Sequence, residues 1–447
     1  MIPPQGKMAL FEGPVNYAAR TLDLPSGAVR MLSGLFFCQI LAVLHRVAIS
    51  KVKDTNTRLI IHLLLGLFIA YFVWNVSFLH HCASALGLYV LFSTLPWSLA
   101  AKLNFVYQLG YIGVGYYYNN MVEDYTINWT TTMAIVTLKM IGLGFDLNDS
   151  QKDGAKLPSL FKVLGYVFFV GTYLVGPMDD FKRYEAFIKG SLFPEDKSPE
   201  ITIGLKRMTL GLIFLAISVI STSILKTETL FSDQYLEFPL ALRILYITSW
   251  GHFNLYRYIA VWCIAESSCI YMGYSFNGEG RWDGLENFAI GPFHLSLTVQ
   301  GLIDTWNIRT TAWCSKHIYK RCKFLGNKTL SQIITMLFLA IWHGLHIGYV
   351  IFFMQEFLYG LVMEKGACQN TLLKRINEMV PTPIVFAFRW LFIKMFISFT
   401  FVSFELFYFE KIMYVYGSVY FVCPLIAALV IASNIVFDEK KSPEKHE

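Results

Sequence analysis

Charge is what this chain has least of. Only 15% of its 447 residues are Asp, Glu, Lys or Arg, against about 25% in soluble globular proteins, while 55% are hydrophobic. That balance excludes an ordinary water-soluble domain and predicts an all-α polytopic membrane protein. The net charge of +6 is modest and scattered, so nothing in it suggests nucleic acid as a partner. None of the eight cysteines falls in a CxxC pair, and most lie in or beside apolar runs. Membrane-buried thiols are expected, with neither disulfides nor a metal site. The first thirty residues hold Pro3, Pro4, Lys7, Glu12, Arg20 and Asp23 and no apolar leader stretch, so no cleavable signal peptide is expected. Repeats and low-complexity segments are also missing.

What is present is a series of apolar runs. They fall around 31–48, 59–79, 83–100, 102–118, 132–145, 158–176, 207–225, 236–252, 254–275, 286–303, 331–357, 383–406 and 413–436. A bilayer core takes roughly 20 apolar residues as helix, and about eleven spans are expected from these runs. The runs at 102–118 and 286–303 are interrupted by polar residues, glycine or proline, and read as re-entrant or tilted pieces packed inside protein. Residues 1–30 form a cytosolic or interfacial segment, 31–436 the transmembrane domain, and 437–447 (FDEKKSPEKHE) a charged, disordered tail. The segment 305–330 carries Arg309, Lys316, Lys320, Arg321, Lys323 and Lys328 and no acid, which places it on the cytosolic face. The sequon at Asn327 within it is therefore expected to stay unglycosylated.

Against this background, titratable groups inside apolar runs mark function. The stretch FLAIWHGLHIG at 338–348 contains two histidines. On a continuous helix, His343 lies twelve residues past Ser331, about 18 Å in, with His346 one turn away on the same face. The bland alternative is a histidine that only hydrogen-bonds a neighbouring helix. Asn307 lies between Trp306 and Ile308, 36 residues before His343. That is enough chain to return and place the two side by side. Glu266 is a further acid within an expected span; ion pairing with a basic neighbour is its structural reading, shaping of a headgroup cavity its functional one.

WNIRTTAW, KRCKFLGNK and LAIWHGLHIGYVIFF resemble the core of the membrane-bound O-acyltransferase superfamily, and within it the metazoan lysophospholipid acyltransferase group. YIAVWCIAESSCIYMGYSFNG and RWDGLENF extend the likeness over Tyr256–Leu361, with a fainter echo at VGPMDDFKRY. Two departures stand out: NGEGRWD is shorter than is usual in the family, and MDD carries two acids. The resemblance implies a helical bundle around a central reaction chamber in the endoplasmic reticulum membrane. It also implies transfer of an acyl group from acyl-CoA to the free sn-2 hydroxyl of a lysophospholipid, in phospholipid remodelling. Lysophosphatidylcholine and its ethanolamine and serine counterparts are the implied acceptors, with preference for polyunsaturated chains; a homodimer is compatible with it. Relatives that acylate proteins, sterols or diacylglycerol are the rivals within the superfamily. A proton-coupled transporter is the rival outside it, and it would call for an inverted repeat that the sequence does not display.

The chemistry makes sense of the buried imidazole independently. An alcohol needs a base to become a nucleophile, and histidine, with an unperturbed pKa of about 6.5, suits this at neutral pH. Burial disfavours the imidazolium, which leaves His343 able to accept a proton. The amide of Asn307 can donate to the thioester oxyanion or orient the acceptor hydroxyl. Lys316, Lys320, Arg321 and Lys323 are candidate partners for the CoA phosphates, or simply positive-inside anchors. Trp306, Trp342 and His346 are candidates for packing or supporting the site. No cofactor is expected beyond acyl-CoA as co-substrate.

Overall fold

The computed structural model describes residues 11–120, 127–194 and 201–437; the expected tail lies outside these apart from Phe437. Among the described residues the regular structure is helical, with one isolated bridge between Phe288 and Trp306. The chain forms two compact units. One comprises Met1–Leu212 and Ala260–Asn287, the other Ile213–Ile259 and Phe288–Glu447.

In the first unit the helices Leu79–Thr94, Trp97–Asn120 and Trp129–Ser150 are joined by a buried polar ladder. Ser84 donates to Gln108, Gln108 to Asn104, and Asn104 to the carbonyl of Met140. Such interhelical bonds hold helices together where lipid offers no hydrophobic drive. A second buried cluster explains one departure from the family pattern. Asp179 pairs with Lys139 at 3.2 Å, both side chains fully buried, and accepts from Tyr274. Asp180 caps the helix Phe181–Lys189 by accepting from the Arg183 amide at 2.8 Å. Both acids of MDD are thus used inside the fold. The short NGEGRWD segment closes on itself around Asn277, whose side chain accepts from Glu279 and Arg281 amides, and Trp282 is core against Phe276 and Phe193.

In the second unit the helix Thr382–Leu406 is approached on two flanks by glycines. A Cβ at Gly251 would lie 2.5 Å from the Ser398 carbonyl, and one at Gly348 would lie 2.2 Å from that of Ser403. Only glycine lets these backbones come so close.

Six helices among the described residues are long and apolar enough to cross a membrane, or seven if the pair Phe409–Ser418 and Val422–Val436, bent by 81°, counts as one span. Several expected runs are shorter as helices than as apolar sequence. The run 158–176 yields a helix only at Leu160–Val167. Residues 286–303 break into Ile290–Leu295 and the start of Val299–Thr305, as their interruptions suggest. Residues 102–118, in contrast, belong to one continuous 24-residue helix, Trp97–Asn120, and not to a re-entrant piece.

The run 331–357 also departs from expectation. It is not one helix: Lys328–His343 ends at the histidine, Gly344 adopts φ 151°, and a second helix, Ile347–Phe357, begins after His346. Gly344 provides a conformation that L side chains rarely adopt. His343 and His346 therefore do not share a helix face. A break in an apolar run is tolerated where protein surrounds it.

Candidate active site

Asn307 and His343 both belong to the second unit. The approach to Asn307 is built by the short helix Val299–Thr305, whose first amides are held by Thr298 and by the Glu364 carboxylate, 2.8 Å from the Val299 amide. The chain then pairs with the segment at Phe288, the Ala289 amide donating to the Thr305 carbonyl at 3.0 Å. At Asn307 it turns through the left-handed region, φ 47° and ψ 43°, before the helix Ile308–His317. Asparagine is among the few L residues that visit this region routinely. The turn redirects the backbone here, one residue after Trp306.

Helix Ile308–His317 and helix Lys328–His343 form a hairpin. The connection folds back with Ser331 donating to the Cys322 carbonyl, and the Asn327 side chain caps the second arm by accepting from the Leu330 amide. Trp313 stacks on Phe338 across the arms, with centroids 5.9 Å apart and planes at 22°. From that contact Asn307 is six residues towards the open end on one arm and His343 five on the other. Both residues therefore lie on the open-end side of that contact. A chain of ring contacts runs from Trp306 to His343. Trp306 meets Tyr258 at 6.4 Å, Tyr258 meets Phe404 at 6.2 Å, and Phe404 meets His343 at 5.1 Å. Tyr258 is itself anchored, its hydroxyl donating to Glu405 at 3.2 Å, and Glu405 also pairs with Arg257.

The His343 ring is bounded by Trp342, Phe404, Phe353 and Tyr349, with centroids 4.5, 5.1, 5.4 and 5.6 Å away. The residue is half-buried, and among the described residues its ring has no hydrogen-bond partner on either nitrogen. An uncharged imidazole so placed can accept a proton from a ligand hydroxyl.

The other candidates distribute unevenly. Trp342 is buried and adjoins the ring. Trp306 packs on Phe288 and Phe293, each at 5.6 Å, and supports the Asn307 turn. His346 turns away to Phe407 and Tyr408, because the helix that would have aligned it with His343 has ended. Lys316, Lys320 and Lys323 are exposed and Arg321 half-buried, at the closed end of the hairpin. Lys316 is about 13 Å along the helix from Asn307, so these residues do not join the pair. Glu266 belongs to the first unit, where Arg207 holds it at 2.8 Å and also pairs with Glu286; ion pairing is the role the geometry displays. One acid escaped the sequence reading altogether: Glu356, on the helix after His343. The signal was available, since it falls inside the apolar run 331–357.

Residues 68–404 match the model of the membrane-bound O-acyltransferase family. The mouse protein named lysophospholipid acyltransferase 5 is 33% identical over 431 residues, covering 91% of this chain and 88% of its own length. The human protein of the same name is 32% identical over the same extent. The chicken protein named membrane-bound glycerophospholipid O-acyltransferase 2 is 25% identical over 476 residues, 97% of this chain and 89% of its own.

Proposed function

The chain belongs to the membrane-bound O-acyltransferase family, and from that premise we propose that it transfers the acyl group of acyl-CoA to the free sn-2 hydroxyl of a lysophospholipid. The choline form is the foremost acceptor, with the ethanolamine and serine forms beside it, and the acyl donor is polyunsaturated by preference. The observation that supports the reading is that Asn307 and His343 both lie towards the open end from the Trp313–Phe338 contact, with the rings of Trp306, Tyr258 and Phe404 running from one to the other. The names of the mouse and chicken relatives support the lipid acceptor.

In this scheme the neutral His343 ring takes the acceptor proton as the oxygen attacks the thioester carbon. The Asn307 amide donates to the oxygen of the tetrahedral intermediate or holds the hydroxyl in line. The carbon–sulfur bond then breaks, the imidazolium returns its proton to the departing thiolate, and ester and free CoA result. Base and donor are both side chains, so the scheme uses no cofactor. The basic residues at the closed end of the hairpin meet the CoA phosphates, at a distance that the pantetheine arm bridges. The setting is the endoplasmic reticulum membrane.

Incubation of the purified protein with labelled acyl-CoA and a panel of lysophospholipids, sterol, diacylglycerol and peptide acceptors tests the proposal. Label is expected in phospholipid. Label only in a sterol, diacylglycerol or peptide product overturns the lipid assignment, and solute flux in liposomes without acyl transfer overturns the reaction class.

A further inference from the structure

Glu356 stands in the segment IGYVIFFMQEF, part of a candidate membrane span, Ile347–Ala367. Among the described residues its carboxyl makes no hydrogen bond and no ion pair. The neighbouring Gln355 is fully engaged by comparison, bonding Tyr416 at 3.0 Å and accepting from Ser403 at 3.3 Å. An acid at membrane depth is costly, and such groups persist where they pair or serve function.

Its position narrows what it can meet. Tyr349, Phe353 and Glu356 follow at intervals of four and three and so share one face of the helix, and the π-helix Leu358–Glu364, which holds Gly360, continues from its end. At one end of that face, Tyr349 and Phe353 pack on His343. At the other, a Cβ at Gly360 would lie 3.2 Å from Val299 and 3.8 Å from Ile303, on the short helix that leads to Asn307. Glu356 lies between these contacts, about 4.5 Å along the axis from Phe353, and is half-buried. The face that carries it is thus bordered by the His343 contacts at one end and by the helix preceding Asn307 at the other.

Since no described side chain gives this carboxylate a cation, we infer that the acceptor does: Glu356 reads the lysophospholipid headgroup by pairing with its ammonium, quaternary in choline and primary in ethanolamine. The inference rests on the acyl-transfer reading above. It assigns the carboxylate to the acceptor because acyl-CoA is anionic at its phosphates and uncharged at its thioester. The aromatic side chains at Phe352 and Phe353 favour a cation on the same side of the helix.

The test compares lysophosphatidylcholine with the isostere that keeps the phosphate but lacks the cation, in which a 3,3-dimethylbutyl group replaces choline, at fixed acyl-CoA. The unaltered protein is expected to favour choline by about tenfold or more in kcat/KM, through KM. Glu356→Gln should bring that ratio to within about twofold and leave the KM for acyl-CoA in place. Equal use of both acceptors by the unaltered protein overturns the inference without requiring any variant to fold. So does a Glu356→Gln protein that loses both activities in proportion and keeps the ratio, which is the outcome of a purely structural role. Failure to acylate any lysophospholipid removes the acyl-transfer reading itself, and the headgroup assignment with it.

Discussion

Replacing His343 by alanine is expected to lower acyl transfer by about two to four orders of magnitude, while the protein still inserts and elutes as the unaltered form does. The size of the effect follows from the chemistry. Without a base the acceptor hydroxyl must lose its proton to water, and the half-buried, aromatic surroundings of the ring leave little of that. Survival of the fold is expected because the imidazole holds no hydrogen bond among the described residues, so its removal orphans no buried partner. The assay is single-turnover acyl transfer in purified micelles, with acyl-CoA binding measured alongside. Near-normal turnover by the variant would remove His343 as the base.

Asn307→Ala is expected to cost about two to three orders of magnitude, the range for loss of one oxyanion donor. This residue also carries a left-handed backbone, φ 47°, where alanine adds a strain of about 1–2 kcal/mol. The amide and the backbone are separable. Asn307→Gly relieves the strain and still lacks the donor, and it is expected to be as inactive as Asn307→Ala. Recovery of activity by the glycine variant would assign Asn307 to the geometry of the turn and not to the reaction.

The two catalytic candidates stand out in the sequence because His343 is polar inside an apolar run and Asn307 sits between Trp306 and Ile308 just past one. The break at Gly344 was not legible. WHGLH reads as one apolar segment, since hydropathy weighs side chains and is blind to the backbone angle that a single glycine adopts. From that one miss follows the misplacement of His346, which a continuous helix would have aligned with His343. Glu266 illustrates a second limit. Its partner Arg207 lies 59 residues earlier, and nothing local announces the pair. The same holds for Asp179 and Lys139, whose buried pairing turns an apparent departure from the family pattern into a piece of the first unit's core. The expected count of spans and the six or seven long apolar helices among the described residues differ for a geometric reason: an apolar run registers as a candidate span whether it forms one helix, as at Trp97–Asn120, or stops after two turns, as at Leu160–Val167. The two units interleave along the chain, each assembled from separated segments, and no composition shift marks their boundaries.

The most direct measurement is a map of the protein with a non-hydrolysable acyl-CoA analogue bound. The account places the analogue's carbonyl within hydrogen-bond reach of the Asn307 amide, with open space for an acceptor hydroxyl against the His343 ring and the CoA phosphates towards Lys316 to Lys323. An acyl-CoA seated elsewhere, with the ring of His343 closed off by hydrocarbon on every side, would contradict it.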